Sequence, residues 1–369
     1  MIAYTLRRLL FMIPTLLGIM IVNFVVVQAA PGGPIDLMIA RIKGHSADAT
    51  ARLGGSAGSE VGGGPAAPGA TTSVETQYRG ARGIDPELIR QLERQYGFDR
   101  PPTRRFLLMM GNYLRFDFGQ SFFRDQRVID LIIQKLPVSI SLGLWTTLLI
   151  YLVSIPLGIA KAVRDGATFD VWTSAVVIVG YAIPGFLFAI MLIVLFAGGS
   201  FLAWFPLRGL VSDTWTAMAW PARIGDYFWH IALPVTALVI GGFASLTMLT
   251  KNSFLEEINK QYVITARSKG LSRRRVLYGH VFRNAMLLVV AGFPAAVVHI
   301  FFTGALLIEV IFSLDGLGLL GFEAAINRDY PIMFGALYVY TLVGLLLNLI
   351  SDLTYAAIDP RIDFARRDR

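Results

Sequence analysis

Six apolar runs of about twenty residues, near 9–30, 136–160, 171–197, 229–250, 286–311 and 334–358, constrain this 369-residue chain more than any other feature. Each is long enough to cross a hydrocarbon layer about 30 Å thick. Inside lipid a backbone amide has no water to bond, so each run predicts a helix, whereas barrel strands would be shorter and would alternate in polarity. Charged residues make up only 16% of the chain, against about a quarter in soluble domains, which supports the same reading. The expected fold is an all-α integral membrane protein with six transmembrane helices.

The net charge of +8 would suggest nucleic acid on a soluble chain, but its distribution argues against such a partner. Of 33 Lys and Arg residues, 16 fall in short segments on one side of the six runs: Arg7, Arg8, Lys161, Arg164, eight between Lys251 and Arg283, and four after Asp359. The short loops on the other side, 198–228 and 312–333, hold Arg208, Arg223 and Arg328 alone. The remaining 14 lie in a long insert, 31–135, and inserts of that length count little toward orientation. This bias places both termini in the cytoplasm and the insert outside it. The first run exceeds a typical signal-peptide core and reads as a retained helix. With no cysteine, the chain cannot build a disulfide, a Cys-ligated metal site or a Cys nucleophile.

The insert divides by composition. Residues 44–76 begin with a Gly-rich stretch that has almost nothing to bury, which reads as a flexible loop. Residues 85–121 read as helical: Asp85 and Pro86 form an N-terminal signal, Leu88, Ile89, Leu92 and Tyr96 follow at helical spacing, and Gly97 stops the run. The loop 198–228 carries Trp204, Trp215 and Trp220, aromatics of the kind that mark a headgroup interface. Pro14, Pro156, Pro184, Pro234 and Pro294 should bend their helices, and glycines such as Gly158 and Gly242 permit close helix approach.

Classical catalytic constellations are absent. The four histidines show no ligand spacing, no lysine follows a glycine as a Walker A loop requires, and no GxSxG elbow occurs. No enzyme activity, cofactor or metal is expected. Polar groups inside the apolar runs are costly and face protein or water, which singles out Glu309, His299, Asn348 and Asp352 as candidates for a pore or gate. Glu309 suits an interhelical hydrogen-bonded carboxylate equally well.

The segment 261–285 lies between the fourth and fifth runs. It carries Arg267, Lys269, Arg273, Arg274, Arg275 and Arg283 without one acidic residue. A loop that only sets topology or meets lipid headgroups needs no apolar residues. This one interleaves Tyr262, Val263, Ile264, Ala266, Leu271, Val276, Leu277 and Tyr278 with its charges. The pattern predicts short helices with a face docked on protein, and a partner is the expected contact.

Thr265-Ala266-Arg267-Ser268-Lys269-Gly270, followed by His280-Val281-Phe282-Arg283-Asn284-Ala285, resembles the coupling loop of permease subunits of bacterial peptide-type ABC importers. In the general EAAxxxG pattern of that loop, Ile264, Thr265 and Ala266 stand at the first three positions and Gly270 at the last, so only Ala266 and Gly270 match strictly. Ala30-Pro31-Gly32-Gly33-Pro34, Tyr96-Gly97-Phe98-Asp99-Arg100-Pro101, Phe118-Gly119-Gln120-Ser121, Pro137-Val138-Ser139, Glu309, Gly316-Leu317-Gly318 and Asp359-Pro360-Arg361 extend the likeness over most of the chain. Tyr78-Arg79-Gly80 and the Gly-rich insert look most like the B-type permease of the microcin C and oligopeptide importer.

The resemblance implies a multi-pass protein of the bacterial inner membrane that imports peptides or peptide-like compounds, with microcin C as a candidate cargo. It implies a heterodimer with a second permease subunit, two cytoplasmic ATPase subunits or one fused ATPase, a periplasmic peptide-binding protein, and surrounding membrane lipid. Thr265, Ala266, Arg267, Lys269 and Gly270 would couple to the ATPase. The chain would divide into an N-terminal helix (1–30), the periplasmic insert (31–135), a five-helix core (136–358) holding the coupling loop 251–284, and a tail (359–369). An ion-gradient-driven transporter or channel working without ATPases is the alternative that the kinked helices and intramembrane polar groups leave open.

Overall fold

The computed structural model describes residues 2–30, 33–42, 86–95, 97–199, 201–302 and 306–358. The Gly-rich stretch, Tyr78-Arg79-Gly80, Asp85, Tyr96 and the tail 359–369 lie outside the described residues, as does the side chain of His299. Among the described residues the regular structure is helical, apart from one isolated antiparallel bridge, Gln120 to Arg127. Five helical stretches are long and apolar enough to cross a membrane, or six if one sharply bent pair counts as a single span.

That pair corrects the reading of 171–197 as one continuous run. It consists of α6 (Thr168–Ala182) and α7 (Gly185–Phe196), in the numbering used from here, and the two meet at 94°. Pro184 has no amide to donate and forces the residue before it out of the helical region, so Ile183 is extended at φ −83°, ψ 120°. The other spanning helices are α1 (Ile2–Ala29), α5 (Val128–Val163), α8 (Trp220–Ile258), α11 (Phe282–Phe302) and α14 (Tyr330–Ile358). The insert supplies α2 (Pro34–Ile42), α3 (Pro86–Gln95) and α4 (Pro102–Tyr113).

Helices α5 and α8 run well beyond their apolar cores. Asp130, Gln134 and Lys135 interrupt the apolar run, yet Val128, Leu131 and Ile132 are buried at helical spacing, so α5 starts at 128 rather than 136. At the far end of α8, buried Ser253 and Phe254 likewise carry the helix past the apolar run into the segment read as loop. A further helix, α13 (Leu317–Asn327), stands where the sequence reading placed a short loop.

The chain divides into two compact units. The first comprises Met1–Ile13, Gln134–Leu319 and Tyr340–Arg369; the second comprises Pro14–Ile133 and Leu320–Val339. In the first, α8 is the central element and packs on α6, α7 and α11. One apolar cluster gathers Leu142, Ala189, Leu192, Leu233, Ala237 and Phe312. Gly158 permits the crossing of α5 and α8, because a Cβ there would stand 2.6 Å from Thr250 Cβ. At one end of this unit Lys161 is fully buried. Its Nζ donates to Asp170 O (2.9 Å), Thr173 Oγ1 (3.0 Å) and Ser174 Oγ (2.6 Å), and pairs with Asp170 Oδ1 at 2.9 Å. Lys251 completes the network, 2.7 Å from Asp170 and 2.8 Å from Asp165, so α5, α6 and α8 are joined by charge.

In the second unit Phe24 packs on Phe106 and Phe334, and Tyr113, Phe118 and Tyr338 form an aromatic cluster. Ile35, Ile39 and Ile89 bury the apolar faces of α2 and α3 together. Asp329 accepts hydrogen bonds from Ser121 Oγ and from the Phe122 amide (3.2 Å), while Arg124 pairs with Glu323. Burial raises the Asp329 carboxyl above its ordinary range despite these donors.

Candidate functional site

The segment after α8 folds as two short helices and a π-helical turn: α9 (Gln261–Ser268), α10 (Arg273–Val276) and Leu277–Val281, leading into α11. Lys260 and Tyr262 anchor its start on Glu257, with the Tyr262 hydroxyl 2.6 Å from Glu257 Oε2. Burial, and then the bond to Glu257, push the Tyr262 hydroxyl above its ordinary pKa, which keeps it a donor. Val263, Ala266, Val276, Val281 and Ala285 are buried against Ile159, Ala162 and Phe254.

Gly270 has a definite backbone task. Its φ is +81°, a region that costs an L side chain strain. The Gly270 amide donates to Arg267 O (2.9 Å) and the Leu271 amide reaches back to Ala266 O (3.4 Å). These two bonds are the Schellman arrangement, and half-buried Leu271 packs on the same apolar cluster, as the residue after such a cap usually does. Ala266 and Gly270 therefore recur at this spacing for one reason: the first seats the helix and the second ends it. No ligand-facing role is needed to explain either residue type.

The partner argument from apolar content narrows. Of the eight apolar residues in the segment, Val263, Ala266 and Val276 are buried in the chain's own fold and Tyr262, Leu271 and Leu277 are partly so. Ile264 and Tyr278 remain, 52% and 55% exposed. Thr265, Arg267, Lys269, Arg273, Arg274, Arg275 and Arg283 are exposed as well, and these cations make no ion pair among the described residues. The outer surface is thus basic with two apolar anchors, and a notch lined by Ser272, Arg274, Arg275, Tyr278 and Gly279 opens beside them. It holds no acid, base or nucleophile constellation, so what it can do is dock.

Three motifs far apart in sequence meet at Glu309, which lies on α12 (Leu306–Ile311) and is 1% exposed. Its Oε2 accepts the Leu319 amide at 2.6 Å; Ser139 Oγ lies 3.5 Å from Oε1 and accepts the Leu317 amide at 2.9 Å. A Cβ on Gly316 would stand 2.4 Å from Glu309 Oε1, and one on Gly318 would stand 3.1 Å from Oε2. The carboxylate thus caps the start of α13, where free amides and the helix dipole favour negative charge. Lys135 pairs with Asp315 beside it.

The other pore candidates do not join it. Asp352 pairs with Arg8 at 2.9 Å and accepts from Tyr4, and Asn348 is exposed; among the described residues neither contacts Glu309. His299 lies on α11. The sequence reading missed the Lys161–Asp170–Lys251 network, because Lys161 and Lys251 had been counted as topology charges. A lysine followed nine residues later by an aspartate gives no local signal of burial. The Schellman turn was legible, since a glycine followed by leucine after a short helix is its usual form.

Residues 154–364 match the family described as binding-protein-dependent transport system inner membrane component. Over 99% of its length the chain is 61% identical to the peptidoglycan transport system permease protein YejB of Agrobacterium fabrum, covering 99% of that protein. It is 60% identical to the inner membrane ABC transporter permease protein YejB of Escherichia coli O157:H7, over 99% of this chain and 100% of that one. The oligopeptide transport system permease protein AppB of Bacillus subtilis is 32% identical over 99% of this chain and 100% of its own. The family match takes in both the capped segment and the Glu309 site, and it displaces the gradient-driven alternative. The chain belongs to the inner-membrane permease components of binding-protein-dependent transport systems, and is a multi-pass permease subunit of an ABC importer.

Proposed function

We propose that this chain is one half of a heterodimeric pore that brings peptides or peptide-like compounds into the cytoplasm, with ATP hydrolysed by partner subunits seated on the segment 261–285. The observation that carries the coupling role is the outward face of that segment: a rigidly capped α9 presents Ile264, Thr265, Arg267 and Lys269 to solvent while Ala266 is locked into the fold. A push on this face is delivered to α5 and α8 through Ile159, Ala162 and Phe254, which pack directly behind it. Both termini and this segment are cytoplasmic in this reading, as the Lys and Arg bias requires. The insert 31–135 is periplasmic and meets a peptide-binding protein. The relatives named for oligopeptide and peptidoglycan transport favour short peptides, those from the cell wall included, as cargo; microcin C is a narrower candidate of the same chemical class.

Affinity purification in mild detergent tests the assembly. A second permease and either two ATPases or one fused ATPase should co-purify, and recovery of the chain alone with gradient-driven transport would overturn the reading. Replacing Gly270 with leucine should abolish peptide uptake while membrane levels hold. Normal uptake by that variant would remove the coupling role.

A further inference from the structure

A cavity of about 800 Å³ lies wholly within the second unit, apart from the capped segment and the Glu309 site. Phe24, Phe98, Tyr113 and Tyr330 contribute an aromatic wall, and Arg94, Arg100 and Arg105 bring three guanidinium groups. Arg105 is fixed in place: it stacks 4.6 Å over the Phe98 ring and donates to Gln28 Oε1 at 3.0 Å. Arg94 and Arg100 are exposed and make no ion pair among the described residues. Of the two lining carboxylates, Asp117 is engaged by the Gly119 amide at 3.1 Å, and Asp125 sits in a turn at φ 48°. The cavity therefore offers a cationic excess beside an apolar wall, in a volume typical of sites for small organic ligands.

We propose that this cavity binds the carboxyl end of a short peptide, the guanidinium groups taking the carboxylate and the aromatic wall taking the terminal side chain. It rests on the peptide reading above. Two features select this ligand over a bare anion. A planar guanidinium fork matches a carboxylate in two parallel bonds. An aromatic wall at that distance serves only a ligand that carries apolar surface next to its charge.

The test uses the assembled transporter purified in mild detergent without its binding protein. The probe is an N-dansyl tripeptide ending in phenylalanine, titrated by fluorescence anisotropy as the free acid and as the carboxamide. The acid should bind at least about tenfold more tightly, the scale of one charge-assisted hydrogen bond. The double variant Arg94→Gln with Arg100→Gln should bind the acid as weakly as the amide. Both side chains are exposed, so the substitutions leave packing intact. Equal affinity for acid and amide, binding of neither, or a preference that survives in the double variant each overturns the site. ATP-driven uptake of the same tripeptide is scored separately. Its absence alongside a preserved acid preference would sink peptide import and leave the cavity standing.

Discussion

The six cations of 261–285 and the pair Lys161 and Lys251 are alike in sequence, basic residues at the ends of apolar runs, and opposite in structure. The first group stays in solvent, while Lys161 is fully buried and Lys251 nearly so, both bound to Asp170. A solvated charge costs little and can be given up cheaply. A buried one is tolerated only with a partner, and removing that partner leaves the whole desolvation cost behind. The coupling segment is thus held by its apolar side and by backbone bonds, whereas the helices behind it are held by charge.

Thermal unfolding of the detergent-solubilised protein can break or sharpen this contrast. Asp170→Ala should be the most damaging change, at about 3–5 kcal/mol, because it strands two cations. Adding Lys161→Met to Asp170→Asn should recover part of the loss. Gly316→Ala comes next, at about 1–3 kcal/mol, since its methyl would overlap the Glu309 carboxylate. Gly270→Ala should cost about 1 kcal/mol through backbone strain alone, with open space around the added methyl. Arg274→Gln should fall within about 0.5 kcal/mol of the unchanged protein. If it instead unfolds as readily as Asp170→Ala, the division into solvated and structural cations is mistaken.

Much of the fold was legible before any coordinates. Five of the six apolar runs correspond to helical stretches long enough to span, the break at Pro184 lies at a named proline, and α3 and α4 lie within the stretch read as helical. The site was legible in part. Ala266 and Gly270 stood out by spacing, and their roles as inner anchor and cap follow from local bonds. Glu309, Ser139 and Gly316-Leu317-Gly318 each stood out alone, with nothing to say that they meet. The extra helix α13 was hidden because its N-terminus is capped by Glu309, supplied from the preceding helix across the turn at 312–316.

Sequence by itself determined that this chain crosses lipid as helices, because an apolar run in a bilayer has no other way to satisfy its amides. It also determined where one helix must break and where a short one must end, since proline and glycine act on their own backbone. Tertiary structure alone decided which lysines are structural, which apolar residues of 261–285 are left for a partner, and what the Glu309 carboxylate holds. Those depend on neighbours up to 170 positions away, Ser139 and Glu309 being one such pair, and no local pattern encodes a contact of that range.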